Sequence, residues 1–252
     1  QRLYGVRQGA LRGALGFFAA FPRLARNRWR ALAIAALVFY GPATALTFGA
    51  KANPEVAYLV EDPVSLASME SMYQSDAKKF GRSGESDTDV AMFGFYIWNN
   101  VRINFQVFAS GLIAGVGSLF YLFWNGVHGG AAAGYLTHQG LGRNFWSFVA
   151  THSALELTSL VIAGGAGLLL GWSLLFPGRR SRRQALILAA KEGLVLVMGS
   201  ALMDVGAAAL EAFWSSSALV PVALKFTAAA ILWMLVLGYF LFVGRGRTDA
   251  DA

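Results

Sequence analysis

The sequence contains no cysteine and little charge. None of its 252 residues is cysteine, and only 14% are charged. Without a thiol, this sequence cannot form a disulfide, a thiol nucleophile or a cysteine-ligated metal site. Soluble domains carry about a quarter charged residues, so the low charge argues against an ordinary soluble domain.

Apolar sequence takes the place of the missing charge. Hydrophobic residues make up 56% of the chain, and the mean hydropathy is +0.50. Several apolar runs approach the roughly 20 residues that cross a bilayer as a helix. Because a bilayer offers the backbone no water to bond, such runs must be helical and must pack on each other. We therefore predict an all-α, polytopic transmembrane helical bundle in one domain.

The apolar runs predict about six spans. We divide the long run 97–138 at 115–118, because two crossings there bring the arginines of 179–183 to the cytoplasmic side. One long kinked span with a re-entrant segment is the alternative. The expected spans are a first span at 31–49 and a five-span membrane core within 97–243, at 97–116, 118–138, 148–176, 184–211 and 221–243.

Positive and negative charges lie on different segments. Residues 1–30 carry seven arginines and no acid, which predicts a basic amphipathic segment on the inner membrane surface that ends near Pro22. Residues 50–96 carry eight acids and four bases, and helical spacing over 64–79 indicates a short helix there. By the positive-inside rule, 50–96 is an extracytoplasmic acidic loop and 244–252 a cytoplasmic tail.

This charge distribution also bears on location and partners. We expect a multi-pass protein of the cytoplasmic (inner) membrane with both termini cytoplasmic. The net charge of +7 does not indicate nucleic-acid binding, because the arginines are concentrated beside apolar segments. The sequence starts with Gln1 and not with methionine, so we expect a processed chain or a fragment.

Small residues recur at helical spacing in the predicted spans. In lipid, helices associate through close backbone approach, so GxxxG spacing predicts tight helix contacts. Packing within one chain is the favoured interpretation, and a homodimer seam is the alternative. The glycines concerned are Gly111, Gly115, Gly126, Gly130, Gly134, Gly167 and Gly171.

Polar side chains in or near the spans are the functional candidates, because such residues are costly in lipid. His152 and Glu156 lie four residues apart and therefore leave the same helix face. A glutamate that pairs with Arg102 or Lys225 would be neutralised without any functional role. The candidates are Asn99, Asn100, Arg102, Asn125, His128, His152, Glu156, Asp204 and Glu211.

His152 and Glu156 could also supply two metal ligands, with His128, His138 or Glu211 completing a site. The more specific HExxH pattern is absent from the sequence. A hydrogen-bonded structural pair is therefore the default interpretation, and we expect no cofactor. Ser153 points about 100° away from its neighbour on a helix, so it forms no nucleophile–base pair with the histidine.

Ordered motifs extend over most of the chain. They are Phe21-Pro-Arg-Leu, Asn99-Asn-Val-Arg, Gly111-Leu-Ile-Ala-Gly-Val-Gly117, Trp124-Asn-Gly126, His152-Ser-Ala-Leu-Glu-Leu157, Ala163-Gly-Gly-Ala-Gly-Leu168 and Glu211-Ala-Phe213. In this order they resemble the stage II sporulation protein M family of bacterial and archaeal membrane proteins. The resemblance implies a helical membrane bundle with an outward polar face. The founding member is the membrane component, not the hydrolase, of a group with two peptidoglycan-degrading partners in spore engulfment. The basic N-terminal segment and the acidic loop are similar to the longer, non-sporulation form.

Three functions follow as hypotheses. The first is a non-enzymatic scaffold or adaptor that sits in the lipid bilayer and recruits an envelope or cell-wall-acting partner, with a homodimer as a further option. The second is a transporter or channel that uses the intramembrane carboxylates Glu156, Asp204 and Glu211. The third is an intramembrane metal-dependent hydrolase, which ranks last because the paired-glutamate motif of the prenyl-protease type is missing.

Overall fold

Helices account for most of the described chain. The computed structural model describes residues 2–82 and 88–245. Over these residues the α-helices are α1 (Arg2–Asn27), α2 (Trp29–Ala52), α3 (Pro63–Met72), α4 (Asp89–Ala109), α5 (Val116–His138), α6 (Gly142–Leu175), α7 (Arg182–Leu210) and α8 (Val222–Phe242). A π-helical turn, Glu211–Ser215, continues α7, and short 3₁₀ turns occur at Pro54–Leu59 and Ser110–Leu112. The predicted all-α class is confirmed, and residues 246–252 of the expected tail lie outside the described residues.

Four of the described helices are long and apolar enough to cross a membrane. They are α2, α6, α7 together with its π-helical turn, and α8. The chain is therefore a helical membrane protein. Helices α4 and α5 do not reach the same apolar content, although the 23 residues of α5 would extend about 35 Å. The total of six spans stays a prediction.

The break between α4 and α5 falls earlier than the sequence indicated. Helix α4 begins at Asp89 and ends at Ala109, so the expected boundaries 97–116 were wrong. The chain turns through Ala114 and Gly115, whose φ angles are +49° and +83°. This left-handed backbone favours glycine, and it ends one helix and starts the next at Val116.

The first helix runs through Pro22, where the sequence analysis expected the segment to end. Phe21 and Ala25 on either side of the proline are buried against α7 and α8. The Arg26 guanidinium donates to the carbonyl oxygen of Phe240 at 2.7 Å. These tertiary contacts outweigh the one backbone hydrogen bond that a proline removes.

Glycines line two close helix contacts. Gly126, Gly130 and Gly134 of α5 face backbone carbonyl groups of α2, and a methyl group at any of the three would collide with them. Gly111 lies against Gly167 of α6 in the same way. The remaining pair, Gly115 and Gly171, meet between the α4–α5 turn and α6. All of these contacts join parts of one chain.

Residues 54–82, here called the platform, cover one end of the bundle. Leu66, Tyr73 and Phe80 are buried there against α5 and α6. The Tyr135 hydroxyl donates to Glu70 at 2.5 Å, and the Asn144 amide donates to the Tyr73 carbonyl at 2.9 Å. The acidic stretch is therefore an ordered layer with its own helix, α3, and it is held to the helices beneath it.

The opposite end of the bundle carries arginines. The Arg28 guanidinium makes an ion pair with the Glu192 carboxylate at 2.7 Å, which links the start of α2 to α7. The Tyr239 hydroxyl donates to the carbonyl of Phe18 at 2.8 Å. These contacts pack the second half of α1 against α7 and α8. Its position on a membrane surface stays a prediction.

Candidate functional site

The candidate site lies where α6 meets the platform end of α7. Helix α6 supplies His152 and Glu156, and the chain at the end of α7 supplies Asp204 and Glu211. Helix α6 is largely buried inside the protein, and α7 is buried over a little less than half of its apolar length. Polar side chains on such helices turn towards each other because exposure to lipid would cost several kilocalories per mole.

His152, Glu156 and Glu211 converge into what we call the His-Glu-Glu cluster. The Nε2 atom of His152 lies 3.6 Å from Oε2 of Glu156. One potential ligand atom from each of the three residues lies within 4.8 Å of the other two. Only 4% of His152 and 8% of Glu211 are exposed. The cluster therefore brings an imidazole and two carboxylates together in a largely buried place, although 30% of the Glu156 side chain is exposed.

Two carboxylate oxygens of this cluster have no hydrogen-bond partner in the described part of the chain. Oε2 of Glu156 and Oε2 of Glu211 are buried, and among the described residues neither has a hydrogen-bond partner. The histidine is better held: Nδ1 lies 3.4 Å from the Ser215 hydroxyl, and the Phe148 ring meets the imidazole edge to face at 5.0 Å. An unsatisfied buried carboxylate is expensive, so these oxygens are suited to a proton or a cation.

The π-helical turn Glu211–Ser215 explains how α7 contributes to the cluster. A π turn adds one residue per turn and rotates the side chains that follow, and such turns are frequent at functional sites. Here the turn carries both Glu211 and the Ser215 hydroxyl next to His152. The sequence offers no pattern for such a turn, so the contribution of Ser215 was missed.

Asp204 sits in a separate and fully bonded network. The Asn104 amide donates to Oδ2 of Asp204 at 2.6 Å, and the Ser159 hydroxyl donates to the other carboxylate oxygen. The same amide lies 3.0 Å from the Ser159 oxygen. Asn104 and Ser159 were not among the candidates, although Asn100 and Asn104 share one face of α4 by their spacing.

Lys225 is buried beside the cluster but pairs with no glutamate there. Its Nζ donates to the Ser215 carbonyl oxygen at 2.6 Å and lies 5.0 Å from the centre of the Phe80 ring. The side chain is 0% exposed. Lys225 therefore does not neutralise a glutamate of the cluster, because a carbonyl dipole and an aromatic face hold the ammonium instead.

The last turn of the platform lies directly over the cluster and is bonded to it through the chain at the end of α7. The Phe80 amide donates to the Ser216 carbonyl at 2.7 Å, and the Arg82 guanidinium donates to the Ala212 carbonyl at 2.7 Å. Asp89 joins Lys79 at 3.1 Å and Arg82 at 2.8 Å. Hydrogen bonding from Lys79, and then from Arg82, lowers the pKa of Asp89 below its ordinary value.

The other predicted candidates make their identified contacts outside the His-Glu-Glu cluster. Arg102 is exposed, with its guanidinium 4.5 Å from the centre of the Trp98 ring, so it does not neutralise a glutamate of the cluster. The Asn125 amide bonds to the Tyr121 carbonyl of its own helix. Asn99 donates to Asn100 at 3.1 Å.

The two remaining histidines also have partners elsewhere. His128 pairs with Glu61 of the platform, and its ring meets that of Trp124 at 4.6 Å. His138 lies 2.9 Å from the carbonyl oxygen of Lys51. Of the three residues proposed to complete a metal site, Glu211 alone lies with His152 and Glu156 in the described part of the chain.

A comparison with protein families assigns the chain. The family model described as Stage II sporulation protein M matches residues 15–216. The chain belongs to this family. The resemblance found in the sequence motifs is thereby confirmed, and the family match includes the His-Glu-Glu cluster while ending before α8. No curated protein and no solved structure matches the chain.

Proposed function

We propose that this member of the stage II sporulation protein M family is a non-enzymatic scaffold of the cytoplasmic membrane. The platform would face the envelope side and recruit a protein there. The observation that carries this proposal is that the platform is folded and anchored before any partner arrives. A preorganised surface loses little entropy on binding, which is what a recruiting surface requires.

The outer surface of the platform has the character of a docking face. Leu59 is 85% exposed and Val64 is 78% exposed. Residues 53–77 contain five acids and no base, and Glu55, Asp62 and Asp76 are exposed. Apolar side chains among acids complement a partner that presents apolar and basic side chains. The proposed partner is therefore an envelope protein with such a face.

The proposed orientation rests on the arginines at the other end of the bundle. Arg179 and Arg180 lie between α6 and α7, and Arg182 and Arg183 are the first residues of α7, far along the helices from the platform. Positive charges of short loops remain on the cytoplasmic side, so the platform would be extracytoplasmic and both termini cytoplasmic. This topology includes α4 and α5 as spans, for a total of six.

Site-specific photocrosslinking in native membranes tests the proposal. A photoreactive amino acid at position 59 or 64 should yield one adduct with a basic envelope protein, whereas one at Leu235, an exposed residue of α8, should capture lipid. The double substitution Glu55→Lys, Asp76→Lys should abolish the protein adduct, and Ser75→Ala should leave it intact. If both platform positions capture only lipid or a second copy of the chain, the scaffold proposal fails.

A transporter or channel is the second candidate, because buried Asp204 and Glu211 and the half-buried Glu156 lie along the contact of α6 with α7. Such carboxylates are the usual carriers of proton or cation coupling in membranes. The chain has no cysteine, so a single cysteine at position 156 or 204 can be labelled without background. Reaction with a membrane-impermeant thiol reagent would support an aqueous path, and complete protection from both sides would exclude one.

A further inference from the structure

We propose that the His-Glu-Glu cluster is a divalent-cation site of the zinc type, which joins α6 to the π-helical turn after α7. The ligands are His152, Glu156 and Glu211. The inference goes beyond the scaffold function and does not depend on it, because a cation here would act inside the bundle and not at the docking face.

The donor set fits such an ion. One imidazole nitrogen with carboxylate oxygens is a normal ligand combination for zinc, with bonds of about 2.0–2.2 Å. Two ligand atoms of a tetrahedral ion with these bond lengths lie about 3.4 Å apart. The His152 and Glu156 atoms are already 3.6 Å apart, and all three ligand atoms lie within 4.8 Å of one another, so a contraction of up to about 1.4 Å closes the site.

The unpartnered oxygens point to a ligand independently of this spacing. Glu211 is 8% exposed, and its Oε2 atom meets no donor among the described residues. The same holds for the buried Oε2 of Glu156. Two ionised carboxylates beside a neutral imidazole carry two negative charges, which attract a divalent cation even with the Arg82 guanidinium bonded to the neighbouring Ala212 carbonyl.

The surroundings of His152 hold the ring as a metal ligand requires. Metal-bound histidines commonly donate their second ring N–H to an oxygen, which fixes the tautomer and the ring orientation. Nδ1 of His152 lies 3.4 Å from the Ser215 hydroxyl, and Phe148 packs on the ring. With Nδ1 turned to Ser215, Nε2 faces Glu156 and is the atom available to a cation.

His128 provides an internal comparison. It also pairs with a glutamate, Glu61, but no third ligand stands near it in the described part of the chain. Its side chain is 36% exposed, so water can satisfy it. Among the described residues, the same two residue types therefore make a half-buried pair without a third ligand at one place and a cluster with a third, buried carboxylate at the other.

Zinc binding to the full chain in detergent tests the site. Protein stripped with a chelator and then equilibrated with Zn²⁺ should retain about one zinc per chain, and Co²⁺ should give the visible absorption of an inner-sphere complex. Glu211→Gln and Glu156→Gln should each weaken zinc binding more than about 100-fold, since changes in the second shell alone cost 10–100-fold. His128→Ala should bind zinc like the wild type.

Two results would overturn the proposal. One is wild-type protein that retains no zinc, which would leave the carboxylates protonated or hydrated. The other is unchanged binding in either glutamate variant. If Glu211→Gln does not remain monodisperse, zinc binding by Glu156→Gln decides the question, because Glu156 lies in regular α-helix within α6 and not in the π-helical turn. Photocrosslinking at position 59 should continue in a zinc-free variant, so failure of the metal site and failure of the scaffold can be told apart.

Discussion

The contact between α2 and α5 and the contact between α6 and α7 hold the bundle together in different ways. In the first, three glycines of α5 bring two backbones together, and the neighbouring core residues are apolar. The second includes a histidine and three acids from α6 and the chain at the end of α7. Close packing alone suffices to join membrane helices. The acids of the second contact therefore need another explanation.

The acids themselves divide into two kinds. Asp204 has a donor on each carboxylate oxygen, from Asn104 and from Ser159. Glu156 and Glu211 each keep one buried oxygen without a partner among the described residues. A satisfied buried group stabilises one arrangement of helices, whereas an unsatisfied one costs stability until a ligand arrives. The difference assigns a structural role to Asp204 and a binding role to the glutamates.

The largest effect is expected at the glycine contact. Gly130→Ala should lower the free energy of unfolding by about 3 kcal/mol, because its methyl group would collide with the α2 backbone,. Gly129→Ala is the matched control, since nothing lies within 4 Å of its added carbon atom. Thermal unfolding in detergent, followed by tryptophan fluorescence, measures both. Equal melting temperatures for the two variants would contradict a packing role for the contact between α2 and α5.

Loss of the Asp204 carboxylate should have the next largest effect. Asp204→Ala removes one acceptor each from the Asn104 amide and the Ser159 hydroxyl, which keep only the Ser159 oxygen and the Glu156 carbonyl as acceptors, and this should cost about 2 kcal/mol. The double variant Asn104→Ala, Asp204→Ala should cost less than the sum of the two single changes, because both single changes remove the same Asn104–Asp204 hydrogen bond. A strictly additive double variant would show that the two side chains do not interact.

The glutamates of the cluster should respond with the opposite sign. In metal-free protein, Glu156→Gln should be neutral or should stabilise the fold by up to about 1 kcal/mol, because it removes a buried charge that has no donor. With Zn²⁺ present, the wild type should gain stability and the variant should not. The comparison of Tm with and without Zn²⁺ measures this, and a large loss of stability in the metal-free variant would mean that Glu156 has a structural partner.

The smallest effect concerns the ion pairs that Asp89 makes with the last turn of the platform. Lys79 and Arg82 lower the pKa of Asp89. The ion pairs of Asp89 therefore stabilise the fold at pH values above the pKa of the aspartate in the unfolded chain, near pH 4. This stabilisation is lost as the pH falls through the lower pKa of Asp89 in the folded state. Asp89 is 38% exposed, so the effect should stay below about 0.5 kcal/mol. The melting temperatures of the wild type and Asp89→Asn, measured between pH 6 and pH 3, should become more similar as the pH falls. A difference in melting temperature that stays constant over this range would argue against the ion pairs.

The sequence predicted the features that depend on local composition. Apolar length predicted helices, GxxxG spacing marked glycines that do meet other backbones, and the interval of four placed His152 and Glu156 on one face. The ordered motifs predicted the family. In these cases the physical cause lies within a few residues of the chain.

What the sequence did not predict depends on long-range contacts. Helix α1 passes Pro22 because Phe21 packs on distant helices. Glu211 joins His152 because a π turn directs it there. Arg102 was expected among the carboxylates, but it faces outward over Trp98, since nothing in its spacing fixed which side of α4 meets the core.

The central claim is that the His-Glu-Glu cluster is a binding site and the Asp204 network is not. X-ray absorption at the zinc edge of the detergent-purified chain tests this most directly. We predict one zinc with nitrogen and oxygen ligands at about 2.0–2.2 Å, including one imidazole, with the signal lost in Glu211→Gln and kept in Asp204→Asn. No bound zinc, or a spectrum that Glu211→Gln leaves unchanged, would contradict the claim.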